Sequence, residues 1–179
     1  MDSFSQKLNT YAQLAVEVGV NVQKGQYVVV NASTDVRDFV RLIVKHAYEK
    51  GAKNVTVNWQ DDEVAKLKYE LAPFEAFEEY PEWEAKGREE LAKNGAAFIS
   101  VVSSNPDLLK GIDSKRIAAF QKAAGKALHT YRQYIQSDKV SWTVVGAASA
   151  GWAHKVFPGK SEEEAIHLLW EEIFKATRV

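Results

Sequence analysis

Apolar positions along this chain alternate between two spacings. Four short runs are continuous or nearly so: Tyr27-Val28-Val29-Val30, Val55-Thr56-Val57-Asn58-Trp59, Ala97-Phe98-Ile99-Ser100-Val101-Val102 and Val140-Ser141-Trp142-Thr143-Val144-Val145. Their length and β-branched content read as strands. Before, between and after them, apolar residues recur at three- and four-residue spacings, the mark of helices with one buried face. Strands alternating with helices predict an α/β fold: a three-layer, open, mainly parallel sheet of about four or five strands with helices on both faces.

The helical spacing fixes approximate elements. Phe4, Leu8, Tyr11, Ala15 and Val18 form one stripe, so a first helix runs to about Val18 and Gly19 stops it. Val36, Phe39, Val40, Ile43 and Ala47 form the next, on a helix from about Asp35 to Lys50 that Thr34 or Asp35 caps. The stretch from Asp61 to Asn94 is acidic and aromatic and holds Pro73 and Pro81, which predicts a broken pair of helices, then a regular one from about Trp83 to Lys93. Asn105-Pro106 reads as a cap and first-turn proline. The longest helix spans about Ser114 to Gln136, with Ile117, Phe120, Ala124, Leu128, Tyr131 and Ile135 buried. A short helix fits Ala150 to Val156. Ser161-Glu162-Glu163-Glu164 reads as a capping box for a last helix to about Ala176.

Composition narrows the function only by exclusion. With 179 residues, 46% hydrophobic and 26% charged, the chain suits one globular domain. A net charge of −1 gives no footprint for nucleic acid or an anionic membrane. The absence of cysteine removes disulfides, thiolate metal sites and cysteine nucleophiles. No run approaches the roughly 20 apolar residues that span a bilayer. The expectation is a cytoplasmic protein with no nucleic-acid or membrane partner.

Candidate chemistry is sparse. The four histidines, His46, His129, His154 and His167, lie far apart, and Glu164-Ala-Ile-His167 is the one pair with metal-helix spacing. A capping Glu164 and a surface His167 explain it as well. The loop Val145-Gly146-Ala-Ala-Ser149-Ala-Gly151 lacks the lysine of a phosphate loop, so close packing explains it better than anion binding. Ser33, Ser103 and Ser104 follow strands, where sites and helix caps are equally expected. Asp61-Asp62-Glu63 fits a cation site or, more simply, a solvated helix start. Lys115, Arg116, Lys122 and Lys126 read as the wet face of a helix. Phe74, Phe77, Tyr80, Trp83, Trp142, Trp152 and Trp170 read mainly as core, with the 61–94 segment also able to serve self-association. No residue in this chain is assigned a catalytic, cofactor-binding or metal-binding role.

Two segments carry a family resemblance. Tyr11-Ala-x-Leu-Ala-Val-x-Val-Gly19-Val-Asn-Val-Gln-Lys-Gly25-Gln resembles the opening of the thermophilic-type metallo-aminopeptidases. Trp152-Ala-x-x-Val156-Phe157-Pro158, Glu163-Glu164-Ala165 and Leu169-Trp170-x-x-Ile173-Phe174 are similar to the same family further on. The resemblance implies an enzyme that removes N-terminal residues from peptides with two divalent metal ions, zinc or cobalt, and that works as a homodimer. It also implies that residues 1–179 are the N-terminal α/β domain, with the metal ligands in a C-terminal domain absent from this chain. The fragment would then be inactive. The competing expectation is a complete, stand-alone α/β module that binds a small ligand at its strand-end loops.

Overall fold

A computed structural model describes residues 3–179. Four strands form one parallel sheet in the order β2-β1-β3-β4: β1 (Tyr27–Ser33), β2 (Asn54–Gln60), β3 (Ala97–Val102) and β4 (Trp142–Gly146). All four expected strands are present and parallel.

Burial follows from that order. In the central strand β1, Val28, Val29 and Val30 are all buried, as a strand covered on both faces requires. The edge strand β2 carries polar residues at alternate positions, and none of it is fully buried. Helix α2 (Arg37–Glu49) connects β1 to β2. The return to β3 crosses β1 through α3 (Asp62–Leu71), a 3-10 turn (Phe74–Phe77) and α4 (Glu82–Lys93). These crossovers move in opposite directions along the sheet, so right-handed connections put α2 and α4 on opposite faces.

The larger core lies on the α2 face. There α1 (Phe4–Leu14), α2, α7 (Ala150–Val156) and α8 (Glu162–Thr177) cover Val28, Val30, Ile99 and Val145. The whole stripe expected on α2, from Val36 to Ala47, is buried. Tyr11 stacks on Phe39 at 5.1 Å, and Trp170 meets Phe39 edge-on at 5.4 Å and stacks on Phe174 at 5.5 Å. On the opposite face α4 and α6 (His129–Gln136) cover Val29 and Phe98, with Tyr131 edge-on to Phe98 at 5.2 Å.

Local structure departs from the periodicity in several places. The first helix ends in a π-turn, Ala15–Gly19, where the Val20 N–H reaches back to the Ala15 carbonyl. That wide turn shifts the helical phase, so Val16 and Val20 are buried and Val18 is 71% exposed. Gly19 lies close against β4: a Cβ there would lie 3.1 Å from the Thr143 side chain. The long third-layer helix is two, α5 (Ser114–Ala127) and α6, with Leu128 non-helical between them. Only Ala124 and Leu128 of its expected stripe are buried. Residues 103–113 make turns without a helix, and Asn105 accepts the Asp107 N–H at 2.9 Å. A capping box does occur, at Ser3 and Gln6 of α1. At α8 only half of one forms: Ser161 accepts the Glu164 N–H at 3.3 Å, while the Glu164 carboxylate turns to Lys160 at 2.7 Å.

Candidate functional site

In an open parallel sheet the ligand-binding position lies beyond the carboxyl ends of the strands, where the strand order reverses. Here that point is between β1 and β3. The buried polar residues among those described are Ser33, Ser103 and Ser149, which follow or end β1, β3 and β4 at this rim.

The serines act first on the backbone. Ser33 accepts the Asp35 N–H at 3.2 Å and starts the 3-10 turn ahead of α2. Ser149 caps α7 by accepting the Trp152 N–H at 3.3 Å, and its hydroxyl donates to the Ser103 carbonyl. The Ser103 hydroxyl is buried without a partner. Exposed Ser104 takes part in neither cap.

Acids after β2 are committed in the same way. Asp61 caps α3 through the Val64 N–H at 3.0 Å, and Asp62 accepts the Asn105 N–H at 3.0 Å. The loops after β2 and β3 are thereby joined. Asn105 also packs on α7: a Cβ on Gly151 would lie 2.7 Å from Asn105 Cβ. Lys155 holds Asp107 at 2.8 Å and, through that hydrogen bond first, keeps the Asp107 carboxyl below its ordinary pKa. The small residues of the 145–151 loop therefore serve packing, as the plainer reading of that loop held. The Gly146 N–H donates to Tyr11 Oη at 3.1 Å, and burial pushes the Tyr11 phenol upward in pKa.

Beside this rim is a half-open cleft of about 650 Å³, lined in part by Asp35, Arg37, Glu163, Ser149, His167 and Trp170. Among the described residues, no three His, Asp or Glu side chains come close enough together to hold a metal ion. Glu164 pairs with Lys160, and the His167 ring lies 5.8 Å from Phe4. On the described residues alone the donor set therefore does not make a metal centre.

Sequence reasoning missed one structural residue. Arg116, expected on a wet helix face, is half-buried. Its Nη1 donates to the carbonyls of Tyr69 at 3.1 Å and Ala72 at 2.6 Å, and its guanidinium lies 5.2 Å above the Phe77 ring. It satisfies the carboxyl end of α3 and ties it to α5. The signal was its position beside Ile117 and ahead of Phe120 on the apolar side of α5. The expected aromatic core is also split: Phe77 and Trp170 are buried, Tyr80 and Trp152 half-buried, and Phe74, Trp142 and Trp83 are 40%, 44% and 78% exposed.

The chain belongs to the thermophilic metalloprotease (M29) family, whose sequence profile matches residues 4–179. It is 48% identical over 179 residues to Aminopeptidase 2 of Geobacillus stearothermophilus, covering 100% of this chain and 43% of that protein. It is 40% identical over 178 residues to Aminopeptidase T of Thermus thermophilus, covering 99% of this chain and 44% of that one. A solved structure, wild-type AmpT from Thermus thermophilus, superposes with a TM-score of 0.92 at 39% identity, covering 97% of this chain and 44% of the other. The chain thus spans less than half the length of the relatives it matches. Among the described residues no helix is long and apolar enough to cross a membrane.

Proposed function

We propose that residues 1–179 form the N-terminal α/β domain of a metallo-aminopeptidase that removes N-terminal amino acids from peptides. The observation that carries this reading is the 48% identity over all 179 residues to a protein of which they cover only 43%. The full-length enzyme uses two divalent ions, zinc or cobalt, held by residues outside this segment, and works as a cytoplasmic homodimer. The segment itself flanks the active site and helps dimerisation. It is inactive alone.

Two assays test the proposal. The isolated chain with added zinc or cobalt is expected to leave leucine anilide intact, and chelator-sensitive turnover by the pure chain overturns the flanking role. A chimera carries residues 1–179 in place of the matching part of the Geobacillus aminopeptidase. It is expected to hydrolyse leucine anilide, and a folded but inactive chimera argues against the assignment.

A further inference from the structure

Asn94-Gly95 is the one asparagine-glycine pair in the chain. Such a pair is chemically reactive in an unfolded peptide, because glycine has no side chain to shield its backbone nitrogen from the neighbouring amide. Here the pair closes α4, and both residues are exposed. Ala92 and Ala96 beside them are each 1% exposed, so the turn is anchored on both sides. Asn94 sits at φ −88° and ψ 11°, and Gly95 at φ +73°. The Gly95 N–H donates to the Ala92 carbonyl at 3.0 Å and the Ala96 N–H to the Leu91 carbonyl at 3.0 Å, a Schellman closure. The Gln26 side chain, ahead of β1, donates from Nε2 to the Gly95 carbonyl at 2.8 Å.

We infer that Asn94 is a site of spontaneous deamidation and that this turn is the lock that holds the reaction back. In the reaction the Gly95 nitrogen gives up its proton and bonds to Asn94 Cγ. The Cγ–Nδ2 bond breaks, ammonia leaves and a succinimide ring remains. Water then opens the ring at either carbonyl, giving aspartate or isoaspartate. No oxidant or cofactor takes part. Ring closure requires the Gly95 nitrogen to swing round and eclipse Asn94 Cβ, and a ψ of 11° keeps it far from that position. Reaching it means breaking the hydrogen bond from Gly95 to Ala92 and pulling against Gln26. The pair is therefore wetted by solvent yet held in an unreactive shape, and it reacts when the end of α4 opens. Isoaspartate adds a carbon to the main chain inside the Schellman closure and so cannot rebuild it. Either product also puts a negative charge at the carboxyl end of α4, which the helix dipole disfavours.

Peptide mapping by mass spectrometry tests the inference. The 179-residue chain is held in mildly alkaline buffer, with and without enough urea to unfold it. In urea the mass gain of an amide-to-acid change is expected at Asn94 before any other asparagine. Asn105 lies on the same tryptic peptide and is an internal control, because Pro106 has no N–H to attack with. In buffer the Asn94 rate is expected to be at least about tenfold lower. Gln26→Ala is expected to raise the buffer rate about two- to fivefold and to leave the urea rate unchanged. Equal rates in buffer and urea overturn the lock, and so does a folded Gln26→Ala chain that reacts at the parent's rate. Reaction in urea first at another asparagine overturns the site itself.

Discussion

Two regions of this molecule use aromatic residues in opposite ways. Under α1, α2, α7 and α8, Tyr11, Phe39, Trp170 and Phe174 pack ring on ring and are each at most 6% exposed. Between β2 and β3, Phe77 is the one buried aromatic residue, while Trp83 and the aliphatic stripe of α3 (Val64, Leu67 and Leu71) face outward. The first region rests on apolar burial. The second rests on a few polar ties: Arg116 to the end of α3, Asp62 to Asn105, and Tyr80 and Arg88 to Glu84 at 2.7 and 2.8 Å. An element held by hydrogen bonds at its ends can leave an apolar face free for another surface. A core helix cannot.

The largest expected effect lies in the aromatic layer. Phe174→Ala should cost about 3–5 kcal/mol in denaturant unfolding, because it opens a cavity between α1 and α8. A cost below about 1 kcal/mol would remove the contrast between the regions. Arg116→Ala should cost about 1.5–3 kcal/mol by removing charged donors from two carbonyls. Its signature is local: hydrogen exchange should accelerate across 62–77 with little change in α1, α2 and α8. Uniform acceleration would mean that the α3 segment belongs to the main core after all.

Smaller effects sharpen the comparison. Tyr11→Phe keeps the stacking and removes the acceptor for Gly146, so about 1 kcal/mol is expected. The Tyr80 phenol is pushed up to about 12, first by burial and then by its hydrogen bond to Glu84. Its folded pKa is raised above the ordinary value near 10, so its contribution is complete below pH 10. That contribution is lost as the pH rises toward 12. Ultraviolet titration should show a late-ionising tyrosine that Tyr80→Phe removes, and the same variant should flatten the alkaline fall in stability. Leu71→Gln should stay within about 0.5 kcal/mol of the parent chain in dilute solution.

Legibility in the sequence followed the kind of force involved. The four strands and the α2 stripe from Val36 to Ala47 were readable because burial of a whole face repeats along the chain. Ser33 and Asp61 were readable as caps, since a side-chain oxygen two or three residues ahead of an N–H is a local arrangement, whereas Ser103 and Ser104, equally open to that reading, cap no helix. Val18 was misplaced because one π-turn rotates the stripe, and nothing in Ala15–Gly19 marks that turn by residue type. Arg116 was misplaced because its acceptors, Tyr69 and Ala72, lie more than forty residues away in sequence.

The sequence alone determined the α/β class, the places of the four strands and the face of α2 that turns inward. These follow from periodicity and composition, which are properties of neighbouring residues. Only the tertiary structure decided that the strand order reverses between β1 and β3, that the loops after β2, β3 and β4 interlock at one rim, and that α3 turns its aliphatic side outward. Each depends on which distant segments share a surface. A helical stripe specifies that a helix has an apolar face, and the packing around it specifies whether that face is already covered.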